Sequence, residues 1–426
     1  MASAISSMEN YFDRLWPICR SITGNGLRES LKIISEIVPL ELHEVPTGSK
    51  VFDWEIPKEW NISDAYILTP DGKKICDFKK NNLHVVNYSV PVDGEFSFEE
   101  LDKNLFSIPE MPEAIPYLTT YYKEAWGFCI SQKEREQLPK AGKYKVRIDS
   151  ELSNGSLTYG ECVLKGETEE EILFSTYLCH PSMANNELSG PLVAAFLYQK
   201  LAALPYRRFT YRFVFAPETI GVIAFLSKTG MHLKKNLQAG YVLTCVGDAG
   251  DFTYKRSKEI THSVNKVAEH YLRSTGKPFT TLDFAIGGSD ERQYCSPGFN
   301  LPVGSLMRTM YQQFKEYHTS LDNKSFISFS AMEETVEAYF NIAKLHELNK
   351  KYVNAVPYCE PQLGKRGLYP AVGGQKSRTE ELSMRLHLLS WADGEHDLIS
   401  IAELFGKPAL EFEETIRVLV ENNLLS

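Results

Sequence analysis

The sequence predicts an α/β fold with a mostly parallel or mixed central sheet flanked by helices. Two observations support this prediction. From residue 171 onward, short apolar runs alternate with helical patterns, as in EILFSTYL followed by ELSGPLVAAFLYQKLAAL, and FTYRFVFAP followed by IGVIAFLSKTG. Runs that are apolar throughout are typical of strands buried on both faces, and strands that alternate with helices are typical of parallel connections.

The same alternation continues to about residue 350. GYVLTCV precedes the helical pattern SVNKVAEHYLRS, and LPVGSLM precedes the long SAMEETVEAYFNIAKLHELN. Earlier in the chain, residues 8–38 predict two helices separated by TGNG at 23–26. We therefore assign residues 1–48 and 165–355 to one α/β domain.

Residues 49–164 have a different pattern. Short β-type runs such as DAYIL, LHVVNYSV and KYKVRI are separated by the turn signals PDG and PVDG and by the proline-rich SIPEMPEAIP. Frequent turns between short strands predict a small β-rich domain. We expect this segment to be an insertion that follows the first helices of the α/β domain.

The last part of the chain, residues 365–426, predicts a compact winged-helix-like module of three short helices. A module that binds DNA needs a basic face. Residues 380–426 instead hold ten Asp and Glu against three Lys and Arg, a net charge of −7. This balance favours a protein-interaction or packing role over DNA binding.

The composition argues against several other classes of function. The 426 residues are 43% hydrophobic and 24% charged, as in globular proteins, and the formal net charge of −9 does not suit a general binder of nucleic acid or anionic membranes. No apolar run approaches the length of a membrane-spanning helix, and the first residues show no signal peptide. Eight cysteines without a C-x-x-C pair fit a reducing compartment. We expect a cytoplasmic protein with no nucleic-acid or membrane partner. The composition is compatible with a homo-oligomer.

Polar side chains follow the predicted strands at five junctions. In parallel sheets the ligand site lies beyond the carboxyl ends of the strands, so these side chains are expected to meet at one edge and to form a functional cleft. The junctions are CHPSMANNELSGP with His180, Asn185, Asn186 and Glu187; APETIG with Glu218; CVGDAG with Asp248; GGSDERQY with Asp290, Glu291 and Arg292; and EYHTSLDN with His318 and Asp322.

Each junction also has a purely structural interpretation. A single histidine in a turn is more often a hydrogen-bonded structural residue than a ligand. Asn-Asn-Glu before an apolar helix is an ordinary N-cap with an acid near the positive end of the helix dipole. Glu218 can cap the helix that follows it, and GGSDER can be a tight turn with a local ion pair. The coincidence of five junctions, rather than any one of them, favours a functional site.

If the cleft holds a metal ion, the residue types indicate zinc. Two histidines with carboxylates, and without a thiolate cluster, suit a hydrolytic site with an open position for water. Zinc lowers the pKa of that water, and a nearby carboxylate can pass its proton to a leaving amine. A serine or cysteine nucleophile is less favoured. The chain has no G-x-S-x-G motif, and Cys179 would point away from His180 in an extended strand.

These motifs resemble a known family. CHPSMANNELSGP, PETIG, CVGD, GSDERQYCSPG and EYHTSLDN are similar to motifs of bacterial proteins with an aminopeptidase-like domain that are associated with polysaccharide biosynthesis. The inserted stretch from WEIPKEWNISDAYI to NLHVVNYSVP is similar as well, so the resemblance covers essentially the whole chain. It implies a core like that of the zinc aminopeptidases, an inserted β domain and a C-terminal winged helix.

The resemblance also implies roles for individual residues. His180 falls on the first zinc-binding histidine of these enzymes and His318 on the last, while Glu218 falls on the general base. Asp248 is the nearest match to the remaining aspartate ligand. The side chains expected to line the substrate cleft are Asn186, Glu187, Asp290 and Arg292.

Besides the remaining aspartate ligand, which has no clean match, two positions depart from the family pattern. Asn186 stands where the bridging aspartate is expected, and Thr219 stands where the second glutamate of a Glu-Glu pair is expected. Because a neutral amide cannot bridge two dications as a carboxylate does, we expect one zinc ion rather than two. The leading hypothesis is a zinc hydrolase of an amide bond in a small peptide, amino-acid or aminoacyl-sugar substrate. The alternative is a catalytically degenerate protein of the same fold that binds a ligand or partner.

Overall fold

Eighteen strands and twelve α-helices occur in residues 4–369 and 379–426, which are the residues that the computed structural model describes. The strands are β1 (Glu41–Pro46), β2 (Lys50–Val51), β3 (Trp54–Glu55), β4 (Glu59–Leu68), β5 (Lys74–Ile75), β6 (Val92–Ser97), β7 (Leu105–Phe106), β8 (Phe128–Cys129), β9 (Lys143–Ser153), β10 (Ser156–Leu164), β11 (Glu171–Tyr177), β12 (Thr210–Ala216), β13 (Leu237–Leu243), β14 (Phe252–Lys255), β15 (Phe279–Leu282), β16 (Val303–Met307), β17 (Lys351–Val353) and β18 (Asp393–Asp397). The helices are α1 (Ala4–Leu15), α2 (Asn25–Ile34), α3 (Phe98–Asp102), α4 (Gln132–Glu136), α5 (Ser189–Ala202), α6 (Ile220–Asn236), α7 (Ser263–Ser274), α8 (Glu291–Tyr294), α9 (Phe329–Leu348), α10 (Glu380–Trp391), α11 (Leu398–Phe405) and α12 (Glu413–Glu421).

The central sheet has eight strands in the order β1-β10-β12-β11-β13-β16-β14-β15. Its middle strands β12, β11, β13 and β16 are parallel, whereas β10 is antiparallel to β12 and β14 is antiparallel to β16. The predicted α/β fold with a mixed, mostly parallel sheet is confirmed. Because the middle strands are parallel, their carboxyl ends lie at one edge, and the connections that follow them carry His180, Glu218, Asp248 and His318.

The middle strands are buried along their whole length, as their apolar runs predict. Every residue of β11 and of β12 is buried, and α5 is buried from Ser189 to Leu197. Gly190 lets α5 approach the sheet closely, because a Cβ atom at this position would lie 2.3 Å from the Leu243 carbonyl oxygen. This close approach holds the start of α5 next to the carboxyl end of β13.

The inserted segment forms an antiparallel sheet of its own. Its strands follow the order β5-β4-β9-β6, and its apolar core includes Ile67, Tyr144 and Val146. Strand β10, which the sequence analysis placed in the insertion, pairs with β1 and β12 of the central sheet. The division into 1–48 with 165–355, 49–164 and 365–426 stays a prediction.

The chain divides into two compact units. The larger contains the described residues up to Val264 together with Phe279–Glu337, and the smaller contains Asn265–Pro278 and the described residues from Ala338 onward. In the smaller unit β17 pairs with β18, and α10, α11 and α12 bury Leu388, Ile401 and Leu419. The predicted winged helix is therefore present.

None of the helices in the described parts of the chain is both long and apolar enough to cross a membrane. The longest of them, α9, spans 20 residues but carries several charged side chains.

Candidate functional site

The connection after β11 ends in an unusual helical turn. Residues Ala184–Leu188 form a single π-helical turn that runs directly into α5, and every residue in the turn is buried. The sequence suggested an ordinary N-cap here, but no side chain of the segment caps the helix. Single π turns inside helices are rare and occur frequently at functional sites.

The Asp322 carboxylate takes the place of the missing cap. Its two oxygens accept hydrogen bonds from the backbone N–H groups of Asn185 at 2.7 Å and Asn186 at 2.9 Å, and its carbonyl oxygen accepts one from Ala184 at 3.0 Å. Asp322 is completely buried, and burial raises its pKa to about 7, although the backbone hydrogen bonds act in the opposite direction. The loop that carries His318 and Asp322 therefore holds the π turn in place.

His180 lies in a fixed orientation at the centre of the site. Its Nδ1 atom is 2.5 Å from Glu187 Oε2, and because a carboxylate can only accept, Nδ1 carries the proton. Glu187 Oε1 accepts the backbone N–H groups of Cys179 and His180, and buried Arg20 donates to the His180 carbonyl oxygen at 3.1 Å. Although burial lowers it, the charges of Cys179 and Glu187 raise the pKa of His180 well above its ordinary value, so the ring also binds a proton at Nε2. Loss of that second proton, while Glu187 holds the one on Nδ1, gives Nε2 the free lone pair found in metal-binding histidines with a supporting carboxylate.

Glu218 and His318 face His180. Glu218 Oε2 lies 3.5 Å from His180 Nε2, and burial raises the pKa of Glu218. The His318 ring lies 5.5 Å from the His180 ring, and in residues 4–369 and 379–426 neither of its nitrogens has a hydrogen-bond partner. Burial, with the charge of His180, lowers the pKa of His318 to about 3, so its imidazole is neutral at physiological pH. The structure thus brings together His180, Glu187, Glu218 and His318.

Asp248 belongs to a different hydrogen-bond network. Its Oδ1 atom accepts from the Gly250 N–H and the Thr309 hydroxyl, each at 2.7 Å. Its Oδ2 atom accepts from Asn185 Nδ2 at 2.9 Å and from the Thr309 N–H at 3.1 Å. A carboxylate offers about four acceptor positions, so the Asp248 side chain is fully engaged within the protein.

Asn186 is buried, and its amide is only partly satisfied. Its Nδ2 atom donates to the Tyr177 hydroxyl at 3.1 Å, and its backbone carbonyl oxygen accepts from the Thr244 hydroxyl. Its Oδ1 atom has no hydrogen-bond partner in the part of the chain that the structure describes. A buried acceptor without a partner is uncommon and points to a group that the protein alone does not supply.

The turn after Glu218 is strained. Thr219 adopts φ 64° and ψ −79°, which is a genuine outlier for a β-branched residue. Its N–H donates to Asp290 Oδ1 at 2.8 Å, and its hydroxyl accepts from Arg292 Nη2 at 2.8 Å. Asp290 and Arg292 therefore hold the strained turn that positions Glu218, and their role in substrate binding stays a prediction.

The residues around Asp290 form an acidic, buried group. Burial, followed by the charge of Glu218, raises the pKa of Asp290 well above its ordinary value. Glu291 pairs with buried Lys255 at 2.5 Å, and Lys255 also donates to the Tyr311 hydroxyl at 2.8 Å. Lys255 and Tyr311 lie far from Glu291 in sequence, so no local pattern indicates this network.

Three tyrosines that the sequence analysis did not single out surround the two histidines. Tyr117 packs edge-on against His180 at 4.9 Å and against His318 at 5.3 Å, and Tyr177 lies 5.7 Å from His180. Tyr317 stacks on His318 with ring centroids 3.9 Å apart. Tyr117 comes from the inserted segment, so this segment contributes directly to the site. The sequence gives no signal for such a contact, because Tyr117 lies about sixty residues before His180 in a proline-punctuated loop.

Cys179, His180 and Glu187 form the one group of three potential metal ligands, within residues 4–369 and 379–426, whose ligand atoms all lie within 4.8 Å of one another. Both Glu187 oxygens are already hydrogen-bonded to this same turn, and burial raises the pKa of the Cys179 thiol to about 11. The trio is therefore better explained as support for His180, whose Nε2 atom faces Glu218.

Comparison with known proteins agrees with this architecture. Residues 9–349 match a family described as Domain of unknown function (DUF4910), and residues 350–426 match a family described as winged helix-turn-helix. A Clostridium acetobutylicum protein, named provisionally as a polysaccharide biosynthesis protein with aminopeptidase-like domain, is 48% identical over 93% of this chain and 91% of its own length. The resemblance inferred from the motifs is thereby confirmed.

Solved structures extend the comparison to more distant proteins. A crystal structure from Clostridium acetobutylicum, described provisionally as a peptidase, superimposes with a TM-score of 0.92 at 44% identity and covers 99% of this chain and 96% of its own. A zinc aminopeptidase from Bacillus subtilis gives a TM-score of 0.58 at 13% identity, covering 80% of this chain and 93% of its own. The fold of the larger unit is therefore aminopeptidase-like.

Proposed function

We propose, from the premise that this chain belongs to the family described as Domain of unknown function (DUF4910), that it is a zinc-dependent hydrolase of amide bonds. The observation that carries the proposal is the arrangement of His180, with Nδ1 held by Glu187 and Nε2 facing Glu218 and His318. These side chains lie at the carboxyl edge of the parallel strands, where sheets of this class bind their ligands.

Two of the side chains present already lie at the separation that a zinc ion requires. Two ligand atoms about 2.0–2.1 Å from a tetrahedral zinc ion lie about 3.4 Å apart, and His180 Nε2 and Glu218 Oε2 are separated by 3.5 Å. His318 supplies a neutral imidazole without a hydrogen-bond partner in the described residues. We therefore propose His180, His318 and one Glu218 oxygen as the ligands, with the His318 ring moving toward the other two on metal binding, because the ligand atoms of these three residues are not all within 4.8 Å of one another. Asp248 as a ligand stays a prediction, and its four accepted hydrogen bonds favour Glu218 in its place.

A second zinc ion does not fit these residues equally well. The bridging position is occupied by Asn186, which is neutral, and the position of the second glutamate is occupied by Thr219, whose hydroxyl is bonded to Arg292. Zinc sites use anionic or imidazole ligands. We therefore expect one zinc ion per protein chain.

The chemistry follows from what the side chains can do. A zinc ion bound here would supply Lewis acidity toward a scissile carbonyl and would lower the pKa of an attacking water molecule. The second oxygen of Glu218 would accept the proton of that water and return it to the leaving amine. Glu187 and Arg20 hold His180 in place, and Tyr117 and Tyr317 shield the two histidines from bulk solvent.

The substrate that we propose is a small peptide, an amino-acid derivative or an aminoacyl sugar. The name of the Clostridium acetobutylicum relative refers to polysaccharide biosynthesis, which supports the aminoacyl sugar among these classes. The fold of the Bacillus subtilis enzyme, a zinc aminopeptidase, supports an amide as the bond that is cleaved.

Metal analysis and hydrolysis assays on the wild-type protein test this proposal. We expect about one equivalent of zinc by plasma mass spectrometry, and hydrolysis of aminoacyl anilides or aminoacyl sugars that a chelator abolishes and added Zn²⁺ restores. A protein that binds no zinc at micromolar concentration and turns over no member of the panel would contradict the proposal.

A protein that neither binds zinc nor hydrolyses these substrates would favour another function, which is ligand binding without hydrolysis. Asn186 and Thr219 motivate this candidate, because they stand where the family pattern has the bridging aspartate and the second glutamate. Saturable binding of an aminoacyl sugar by metal-free protein, without turnover, would establish it in place of the hydrolase.

We also expect the smaller unit not to bind DNA, despite its winged helix. Helix α12 carries Glu413, Glu414 and Glu421, and Arg417, the one cation within this helix, pairs with Glu414 at 2.5 Å and with Glu421 at 2.6 Å. DNA binding depends on release of counterions by unpaired basic side chains. Fluorescence anisotropy with a labelled duplex at about 50 mM salt should therefore show no binding. Binding that weakens steeply with added salt would contradict this expectation.

A further inference from the structure

A pocket lined by tyrosines opens next to the candidate metal centre. It encloses about 320 Å³, and its walls are formed by the inserted segment, including Tyr88, Tyr121 and Tyr122. The Tyr121 hydroxyl lies 2.7 Å from the hydroxyl of Tyr117, which in turn packs against His180. Tyr121 and Tyr117 therefore connect the wall of the pocket to His180 of the candidate metal centre.

Electrostatic coupling supports the same proximity. Burial raises the pKa of the Tyr121 hydroxyl well above its ordinary value, and the charges of Cys179, Glu187 and Glu218 contribute further. The Tyr121 hydroxyl therefore lies within electrostatic range of the carboxylates of the centre. A ligand group in this pocket would therefore lie close to the scissile bond of a substrate held at the candidate metal centre.

The pocket presents aromatic faces to solvent. Tyr122, which lines the pocket, is 62% exposed, and its ring meets edge-to-face at 5.5 Å the ring of Trp54, which is 37% exposed just outside the lining. Deeper in the pocket, Tyr121 stands perpendicular to Tyr88 at 5.4 Å, and Tyr88 is anchored by its hydrogen bond to the Lys58 carbonyl. Clustered exposed aromatic rings on a monomer usually mark a binding surface.

The rim of the pocket carries both acidic and basic side chains. Glu55, Lys58, Lys123 and Glu124 are all exposed there, and Lys58 and Glu124 approach each other only to 3.7 Å. Such weakly paired, exposed groups can turn to hydrogen-bond a ligand. An aromatic side chain has no edge hydroxyls for these groups to bind. A pyranose ring has apolar C–H faces that suit an aromatic ring and a rim of hydroxyls that suits charged side chains.

We infer that this pocket binds a pyranose ring, stacked on Tyr122 and hydrogen-bonded to the charged rim, and that the inserted segment supplies the sugar specificity of the site. The inference rests on the proposed function only for the bond that is cleaved. Binding of the sugar itself requires neither zinc nor Glu218, so the two proposals can fail separately.

Saturation-transfer NMR on the full-length protein tests the inference. The probes are methyl β-glucopyranoside, N-acetylglucosamine and phenylalaninamide, each with and without a chelator. We expect transfer to at least one pyranose, unchanged by the chelator, retained in Tyr122→Phe and reduced at least tenfold in Tyr122→Ala. The matched control is Tyr206→Ala, which removes another exposed tyrosine (58% exposed) outside the pocket.

Three results would overturn the inference. The first is an absence of transfer to either pyranose. The second is transfer to phenylalaninamide alone, which would make this a pocket for an aromatic side chain. The third is pyranose binding that survives Tyr122→Ala, which would place the sugar elsewhere. Loss of hydrolysis together with intact pyranose binding would count against the proposed zinc chemistry and leave the sugar pocket standing.

Discussion

Replacement of Glu218 by glutamine is expected to lower the rate of amide hydrolysis by about 10³-fold, within the range typical of removing a general acid–base group. Glutamine has nearly the same shape as glutamate, and Thr219, Asp290 and Arg292 would still hold the turn. The amide cannot accept the proton of an attacking water molecule. The loss should therefore appear in kcat, while the free energy of unfolding stays close to that of the wild type.

Zinc content separates the two roles of Glu218. If one oxygen is a ligand, Glu218→Gln should also weaken zinc binding, by about tenfold, because a neutral amide oxygen is a poorer ligand than a carboxylate. If Glu218 acts only as the base, the affinity for zinc stays at the wild-type value and the zinc content stays at one equivalent. Glu95→Gln, an exposed change on β6, is the matched control and should alter neither quantity. Full activity in Glu218→Gln would remove this residue from the mechanism.

The fold could be predicted from the sequence because its signals are local. The apolar runs that became β11, β12, β13 and β16 are buried along almost their whole length, so their composition alone indicates a sheet covered on both faces. The end of the insertion could not be read in the same way. Strand β10 alternates polar and apolar residues as the inserted strands do, and only its pairing with β1 and β12 places it in the central sheet.

The candidate site could be predicted in outline. His180, Glu218 and His318 follow parallel strands, and the rule that such ends share one edge was enough to group them. Asp248 also follows such a strand, yet its carboxylate turns to Asn185 and Thr309. Position along the chain gives the edge of the sheet on which a residue lies, but not the direction in which its side chain points.

Asp290 shows a further limit of position along the chain. The strand before it, β15, runs opposite to the parallel strands, because it is parallel to β14 and β14 is antiparallel to β16. Asp290 reaches Thr219 only through the connection from residue 283 to 289. The rule that residues after parallel strands share one edge of the sheet grouped Asp290 with His180, Glu218 and His318, but the strand before Asp290 is not parallel to theirs. The contact between Asp290 and Thr219 depends instead on the tertiary structure.

The π turn shows what local patterns leave out altogether. Asn185 and Asn186 look like helix-capping residues, but their N–H groups are bound by Asp322, more than 130 residues later in the chain. Propensity for an N-cap reflects bonds between near neighbours. When a buried carboxylate from another loop offers stronger acceptors, the local preference no longer decides the conformation.

Replacement of Glu187 by glutamine is expected to have the second large effect, on both zinc affinity and stability. Glu187 accepts three hydrogen bonds, two from backbone N–H groups and one from His180 Nδ1. Glutamine offers one acceptor oxygen, so its NH₂ group must face either the backbone donors or Nδ1. In the first case donors oppose donors; in the second the His180 proton moves to Nε2, the atom that faces Glu218.

Both cases predict a weaker site. Zinc titration by calorimetry should show an affinity 10–100-fold below that of the wild type, the range found for loss of a carboxylate that supports a histidine ligand. Loss of the charge also removes the carboxylate that most strongly favours the charged form of buried Arg20, so the free energy of unfolding should fall by about 3 kcal/mol. Nitrogen-15 chemical shifts of the histidines would show directly whether the tautomer has changed. Wild-type zinc affinity and stability in Glu187→Gln, with the His180 tautomer unchanged, would show that this carboxylate does not orient His180 and that another contact must do so.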